Sequence, residues 1–522
     1  MNIAAITRRS AVLMSLTVAV AVAAVAGCQL VLPAPRVPEP PYWPTDGWQA
    51  APPETVGFRS DKMAEGLLAM RQEEIPIHSL TIIRHGYVLV DAYFYPYDGS
   101  TVHDMASVTK SVMTTLIGIA ADQGKLSLDD PMVSFFPDRT IANLDERKQR
   151  ITVAHLASMS SGLECTEAND ETQQAMMATT DWVQFGLDLP VAWEPGAQMV
   201  YCNVAIHLLS PILQQATGMT ALEFARVNLF EPLGIYDTEW TADPQGYNRG
   251  WGDLFLHPRD AAKLGFLWLH QGRWGDRQIV SEEWVRAASE RRMTEAAGRP
   301  EDYGFGWWVS DPELEELGFV QAAGIGTQLI KVMPDLDLIL VTTGAGFEID
   351  QINPYLIASI GDFEKPLEAN PAGVAAMEAA VQEVVRAPAA SPVAALPEIA
   401  STISGRTYVF EANAASLDWF RLDFAGETEA TLQLSVSGED APRVISLGLD
   451  GIYRAGGKDE GLPGFARGRW EDGPTFVIEY STLPSLEHFT LRLTFDGEQV
   501  IFNLEERVYG TSVTLEAFVQ EP

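Results

Sequence analysis

Three observations predict an α/β (α+β) fold with an appended β-domain. Two β-rich runs at residues 80–83 and 87–94, and three or four more between 306 and 343, flank a long helical block; this is the pattern of one mixed sheet with a helical region inserted between its halves. An Ala/Pro stretch at 387–397 has helix-breaking prolines and no periodic apolar face, so it reads as a linker. Beyond it the chain alternates, as in Phe489-Leu491-Leu493-Phe495 and Val500-Phe502-Leu504, which predicts a C-terminal antiparallel β-barrel or sandwich at 398–522.

In chain order, Arg8 and Arg9 precede an apolar run at 11–26 that is too short for the ~20 residues of a spanning helix. Val25-Ala26-Gly27-Cys28 then resembles a bacterial lipoprotein box, so residues 1–28 are expected to be an export signal ending at a lipidated Cys28. Two acyl chains would anchor the protein to a cell-envelope membrane, and residues 29–51, rich in proline, would form a tether. With 71 acidic against 35 basic residues and a formal net charge of -36, nucleic acid and anionic membrane surfaces are excluded as partners. The membrane contact expected is the lipid anchor alone, and the partner expected is a small-molecule or short-peptide substrate.

Residues 61–73 read as an amphipathic helix with Met63, Leu67, Leu68 and Met70 inward. The helix that opens at Ser107 is apolar around most of its circumference up to Gly124, and so should be buried. Ser107 and Lys110 stand three apart and share a helix face, which is the placement a nucleophile and its base need. Burial penalises an ammonium more than a neutral amine, so a buried Lys110 is a candidate base. Ser107 also lies at the helix N-terminus, where free N–H groups can stabilise an oxyanion. Later strands are expected at 306–309, 318–321, 328–333 and 337–343, with Pro334-Asp335 turning the last pair, followed by helices at 352–361 and 372–385. Asp450-Gly451 and Asp496-Gly497 read as hairpin turns in the β-domain. Once Cys28 is set aside, Cys165 and Cys202 form either one disulfide or two small buried apolar groups.

Further motifs stand in order along the chain: Tyr201-Cys202-Asn203 before a helical run, and Ala322-Ala323-Gly324-Ile325-Gly326-Thr327-Gln328 opening a late strand. Together with Ser107-x-x-Lys110 they resemble the three active-site motifs of the serine β-lactamase and penicillin-binding-protein superfamily, nearest to its class C-like branch. Segments such as Phe230-Glu231-Pro232-Leu233-Gly234 and Tyr303-Gly304-Phe305-Gly306-Trp307-Trp308 agree with the resemblance, which covers roughly 52–361; the hydrolase domain is drawn at 52–386. The resemblance implies a β-lactamase/transpeptidase-like sheet and an acyl-enzyme on Ser107, with Lys110 and Tyr201 sharing its proton. A tyrosine beside a cation ionises below its usual ~10, and Tyr201 would then serve the leaving group and the deacylating water. Asn203 would bind substrate or hold Lys110. The oxyanion donors implied are the N–H groups of Ser107 and Ile325 beside Gly324, with Gly326 taking the part if the register shifts by one.

Where the family's β-lactamases carry Lys-Thr-Gly, this chain has Ala322-Ala323-Gly324. The cation and hydroxyl that would grip a β-lactam carboxylate are missing, so an esterase or amidase of uncharged substrates is expected. A D-amino-acid peptidase, carboxypeptidase or β-lactamase is the alternative enzyme, and a binding protein or sensor without turnover the alternative class. The glycine pairs at 304–306 and 344–346 are not dinucleotide fingerprints, and the 8 histidines include no His-Glu-x-x-His, so neither a cofactor nor a metal is expected.

Overall fold

The computed structural model describes residues 37–166, 171–294, 301–310, 318–362, 365–424, 426–459, 462–471, 473–483 and 485–520. Residues 1–28, expected to be an export signal ending at a lipidated Cys28, lie outside the described residues. Among those described, no helix is long and apolar enough to cross a membrane.

An eight-stranded sheet forms the centre, in the spatial order Tyr87–Tyr93, Ile77–Arg84, Leu338–Gly344, Gln328–Met333, Val320–Gly324, Trp308–Ser310, Glu301–Tyr303, Met293–Thr294. The architecture is the mixed α/β one expected from sequence. Within the sheet, every pairing is antiparallel rather than mixed in direction. Two-residue alternation explains why both faces are covered. Leu80, Ile82, Leu338 and Leu340 point to a core shared with the helices Ser60–Gln72 and Pro371–Val384. Ile330, Val332, Ile339 and Val341 point to the larger core under the helical block. On that side the helix Pro258–Leu269 comes close because Gly265 has no side chain; a Cβ there would stand 2.8 Å from Ile339 Cγ2. Leu68, expected inward on the first helix, is 45% exposed, because the stripe at Met63, Leu67 and Met70 already fills the contact.

From Val37 onward the chain is docked where a tether was expected. Trp43 packs edge-on against Phe266 at 5.7 Å and Trp48 against the same ring at 5.4 Å, while Tyr42 donates to the Gly86 carbonyl at 2.7 Å. Aromatic burial outweighs the extended preference of the prolines around it.

The C-terminal domain is a nine-strand barrel. Its ring runs Arg443–Gly448, Glu429–Val436, Leu417–Asp423, Thr407–Phe410, Thr511–Val519, Gln499–Glu506, His488–Asp496, Thr475–Thr482, Leu462–Trp470, and closes where Gly448 meets Arg467. Closure removes the edge strands that a sandwich would leave open. Phe420, Phe476 and Phe502 fill it. Asp496-Gly497 turns a hairpin as expected, whereas Asp450-Gly451 is a corner: the strand after it, Arg454–Asp459, pairs with Leu462–Trp470 instead of turning back on Arg443–Gly448.

Candidate active site

The short strand His103–Asp104 pairs with Leu254–Leu256 and aims the chain into the helix Val108–Asp122. Between them Ala106 adopts a left-handed φ of 46°, a conformation that costs an L-residue about 1 kcal/mol or more. Asp104 holds that turn, its Oδ1 accepting the Ala106 N–H at 2.7 Å. Burial, reinforced by the charge of Asp253, pushes the Asp104 carboxyl up to about 8. The strained residue directly precedes Ser107, which caps the helix half-buried at the junction of sheet and helical block.

Lys110 is 1% exposed, and its Nζ lies 2.7 Å from Ser107 Oγ. The same nitrogen donates to the Trp251 carbonyl at 2.9 Å and sits 4.8 Å from the centre of the Tyr201 ring. Tyr201 stacks on Trp308 at 6.2 Å, and Trp308 meets Tyr303 edge-on at 4.8 Å. Three motif residues separated by almost a hundred positions thus meet around one amine.

The strand Val320–Gly324 passes beside this centre. A Cβ on Gly324 would stand 2.9 Å from each of Ser107 N, Met105 O and Ala106 Cβ, so the approach requires glycine. The N–H groups of Val108, Thr109 and Lys110 bond to the carbonyls of Met105, Ala106 and Ser107, which leaves the Ser107 N–H as the helix-start donor nearest the strand. Ile325 follows at the mouth of the site, 42% exposed. Gly326, with φ of 78°, belongs to the turn, where Gln328 clamps the loop by donating to the Ile325 and Gly344 carbonyls and accepting from the Gly344 N–H. Ala322 is fully buried in the core, so no cation stands at that position.

Cys165 and Cys202 are joined in a disulfide, Cα to Cα 5.9 Å, immediately beside Tyr201. A cavity of about 130 Å³ lies against this bridge, lined by Thr172, Gln173, Tyr201 and Asn203 among others. Of the two roles expected for Asn203, holding Lys110 is not what the amide does: its Nδ2 donates to Gln173 Oε1, and its Oδ1 is buried without a partner. The Trp251 carbonyl occupies the place beside the amine.

Sequence reasoning missed the support of Trp251. His207 is fully buried, with Nε2 3.1 Å from Asp243 Oδ2, and the Gly250 N–H donates to its Nδ1 at 3.3 Å. That donation fixes a neutral ring with its proton on Nε2, directed at Asp243. Burial holds the His207 pKa below the usual range. The Trp251 indole lies edge-on over His207 at 5.1 Å, so the hydrogen-bonded ring sets the segment whose carbonyl receives Lys110. A buried histidine on an apolar helix followed by an aspartate about 36 positions on carries no sequence motif; only burial exposes the pair.

The beta-lactamase family model matches residues 61–361. The chain is 25% identical to the 6-aminohexanoate-dimer hydrolase of Paenarthrobacter ureafaciens, over 56% of this chain and 79% of that protein. It is 24% identical to the D-alanyl-D-alanine-carboxypeptidase/endopeptidase AmpH of Escherichia coli K12, over 44% and 66%. It is 25% identical to a beta-lactamase of the same strain, of which it spans about half, 48%, using 35% of its own length. A solved Bacillus anthracis structure, named as a candidate 6-aminohexanoate-dimer hydrolase, superposes with a TM-score of 0.52 at 17% identity, covering 63% of this chain and 90% of that one.

Proposed function

The chain belongs to the beta-lactamase family, and on that premise we propose that it is a serine hydrolase that cleaves an ester or amide of an uncharged acyl group through an acyl-enzyme. The observation that carries this reading is the 2.7 Å approach of a buried Lys110 Nζ to Ser107 Oγ. Ser107 Oγ attacks the carbonyl carbon as Lys110 takes its proton, and the oxyanion is received by the N–H groups of Ser107 and Ile325. The proton passes through Lys110 and Tyr201 to the leaving alcohol or amine. Water then attacks the acyl carbon, returning a proton to Ser107 and releasing the acid. With Ala322 and Ala323 supplying neither a cation nor a hydroxyl, acyl groups without a carboxylate are favoured, because a charge bound there would lose its hydration without compensation. A relative named for hydrolysing the 6-aminohexanoate dimer supports amide cleavage.

The test is intact-mass spectrometry after exposure to a fluorophosphonate, with wild type beside Ser107→Ala, followed by turnover of short-chain esters, amides and penicillin. A single adduct on wild type only, with esters or amides turned over faster than penicillin, is expected. A folded wild type that takes no adduct would overturn the nucleophile, and faster penicillin turnover would overturn the substrate class. Export and lipid anchoring at Cys28 remain part of the same proposal, tested by a mass increment of diacylglycerol on protein from membranes.

A further inference from the structure

Away from Ser107, a cavity of about 260 Å³ lies between the ends of the central strands and the outer wall of the barrel. Arg71, Glu74 and His78 face it from the hydrolase, and Arg467, His488 and Arg507 from the barrel, together with Glu479. Most of these charges are already matched. Although burial opposes it, the charges of Arg467 and Arg469 hold Glu479 down to about 2, and Arg467 lies 2.5 Å from its carboxylate. Arg71 lies 3.4 Å from Glu383, and Glu74 is exposed. Arg507 has no ion-pair partner among the described residues.

The two histidines are nearly buried, His78 at 7% and His488 at 6% exposure. His488 Nδ1 stands 2.7 Å from Ser481 Oγ, and its Nε2 is buried with no hydrogen-bond partner. Leaving such a group buried and unmatched is costly, so the position calls for an occupant of the cavity. His78 can be assigned from its neighbour. His103 Nδ1 faces the Asp104 carbonyl at 2.8 Å and must donate to it, so His103 Nε2 accepts the proton of His78 Nδ1, also at 2.8 Å. His78 therefore keeps a lone pair on its Nε2. An unopposed arginine, a ring N–H and a ring lone pair thus line a small polar cavity in a chain whose net charge is -36.

We propose that this cavity is a binding site for a small oxyanion, with Arg507 supplying the charge and His488 Nε2–H a hydrogen bond when the Ser481 hydroxyl donates to Nδ1. Two sources share that chemistry: inorganic phosphate, and the carboxylic acid that a hydrolase releases. Phosphate also carries an O–H at neutral pH that His78 Nε2 accepts, whereas a carboxylate does not, so phosphate is expected to bind more tightly.

The experiment follows thermal unfolding of the full chain against sodium phosphate and, separately, sodium acetate, with sodium chloride keeping the ionic strength constant. A site on the folded protein gives a saturable rise in Tm that follows ligand concentration over Kd. Arg507→Gln should weaken the apparent affinity about tenfold or more, and His488→Phe should weaken it too. Arg443→Gln, at a barrel arginine paired with Glu439 outside the cavity, should leave the response unchanged. A response to phosphate identifies the inorganic ion, and a response to acetate alone identifies the released acid. No saturable rise with either anion, or an equal rise in Arg507→Gln, overturns the site. Arg507 is exposed, so its variant is expected to fold and keeps the test decisive should His488→Phe not.

Discussion

Gly324 shows how little room surrounds Ser107. A methyl group there would meet Ser107 N, Met105 O and Ala106 Cβ at 2.9 Å, and the backbone on both sides is fixed by sheet and helix. Gly324→Ala should therefore displace the N–H groups proposed to receive the oxyanion, lower kcat about 10²-fold or more, and lower Tm as well, because the atoms it meets are mostly backbone. Normal turnover in steady-state assays would remove the strand from the oxyanion role. Asp243→Asn acts farther back. It exchanges the carboxylate that receives the His207 proton for an amide, and should loosen the segment carrying the Trp251 carbonyl. Because Asp243 does not touch substrate, the expected signature is a fall in kcat of about tenfold with KM unchanged. A change confined to KM would contradict a positioning part. Ser107 and Lys110 were legible in the sequence because helix geometry brings residues three apart onto one face. The partner of Lys110 was not, since a main-chain carbonyl 141 residues away has no side-chain signature.

The loop that carries Tyr201 is tied by the Cys165–Cys202 bridge, which spans a separation of 37 residues. Chain-entropy arguments give a loop of that length about 4 kcal/mol at most, less whatever the reduced chain recovers by relaxing. Cys165→Ala/Cys202→Ala, or full reduction, should lower the denaturant midpoint and also reduce turnover, because Cys202 adjoins Tyr201. Loss of stability with turnover intact would show that the bridge serves the fold and not the tyrosine. Strands and long helices were readable because their apolar periods are strong. The short strands Met293–Thr294 and Glu301–Tyr303 were not, because two or three residues carry no period. The segment after Val37 was misread for another reason: its prolines argue for extension, while Trp43 and Trp48 find a hydrophobic surface that only the folded helix Pro258–Leu269 creates.

Across the molecule, buried histidines set the dependence of stability on pH. Burial holds His103, His270 and His488 at about 4, below the ordinary 6.5, so the unfolded chain binds more protons than the folded one in that interval. Stability is then complete above pH 6.5 and falls as the pH drops towards 4, by about 1.4 kcal/mol per pH unit for each ring. Asp104 works in the opposite sense. Raised to about 8 from 3.8, it gains stability as pH falls through 8. With one group gaining and three losing, Tm should rise from pH 8 to about 6.5 and decline below it, which a series of thermal melts checks directly. A flat profile between pH 5 and 8 would show that these rings are hydrated. The order of the central sheet has a further consequence in time. The hairpin at 77–93 finds its neighbour, Leu338–Gly344, about 250 residues later in the chain. At ~5–20 residues per second a ribosome needs roughly 12–50 s to deliver that strand. Throughout that interval one edge of the fully buried strand Ile77–Arg84 stands open, so the newborn chain is exposed to aggregation until its second half arrives.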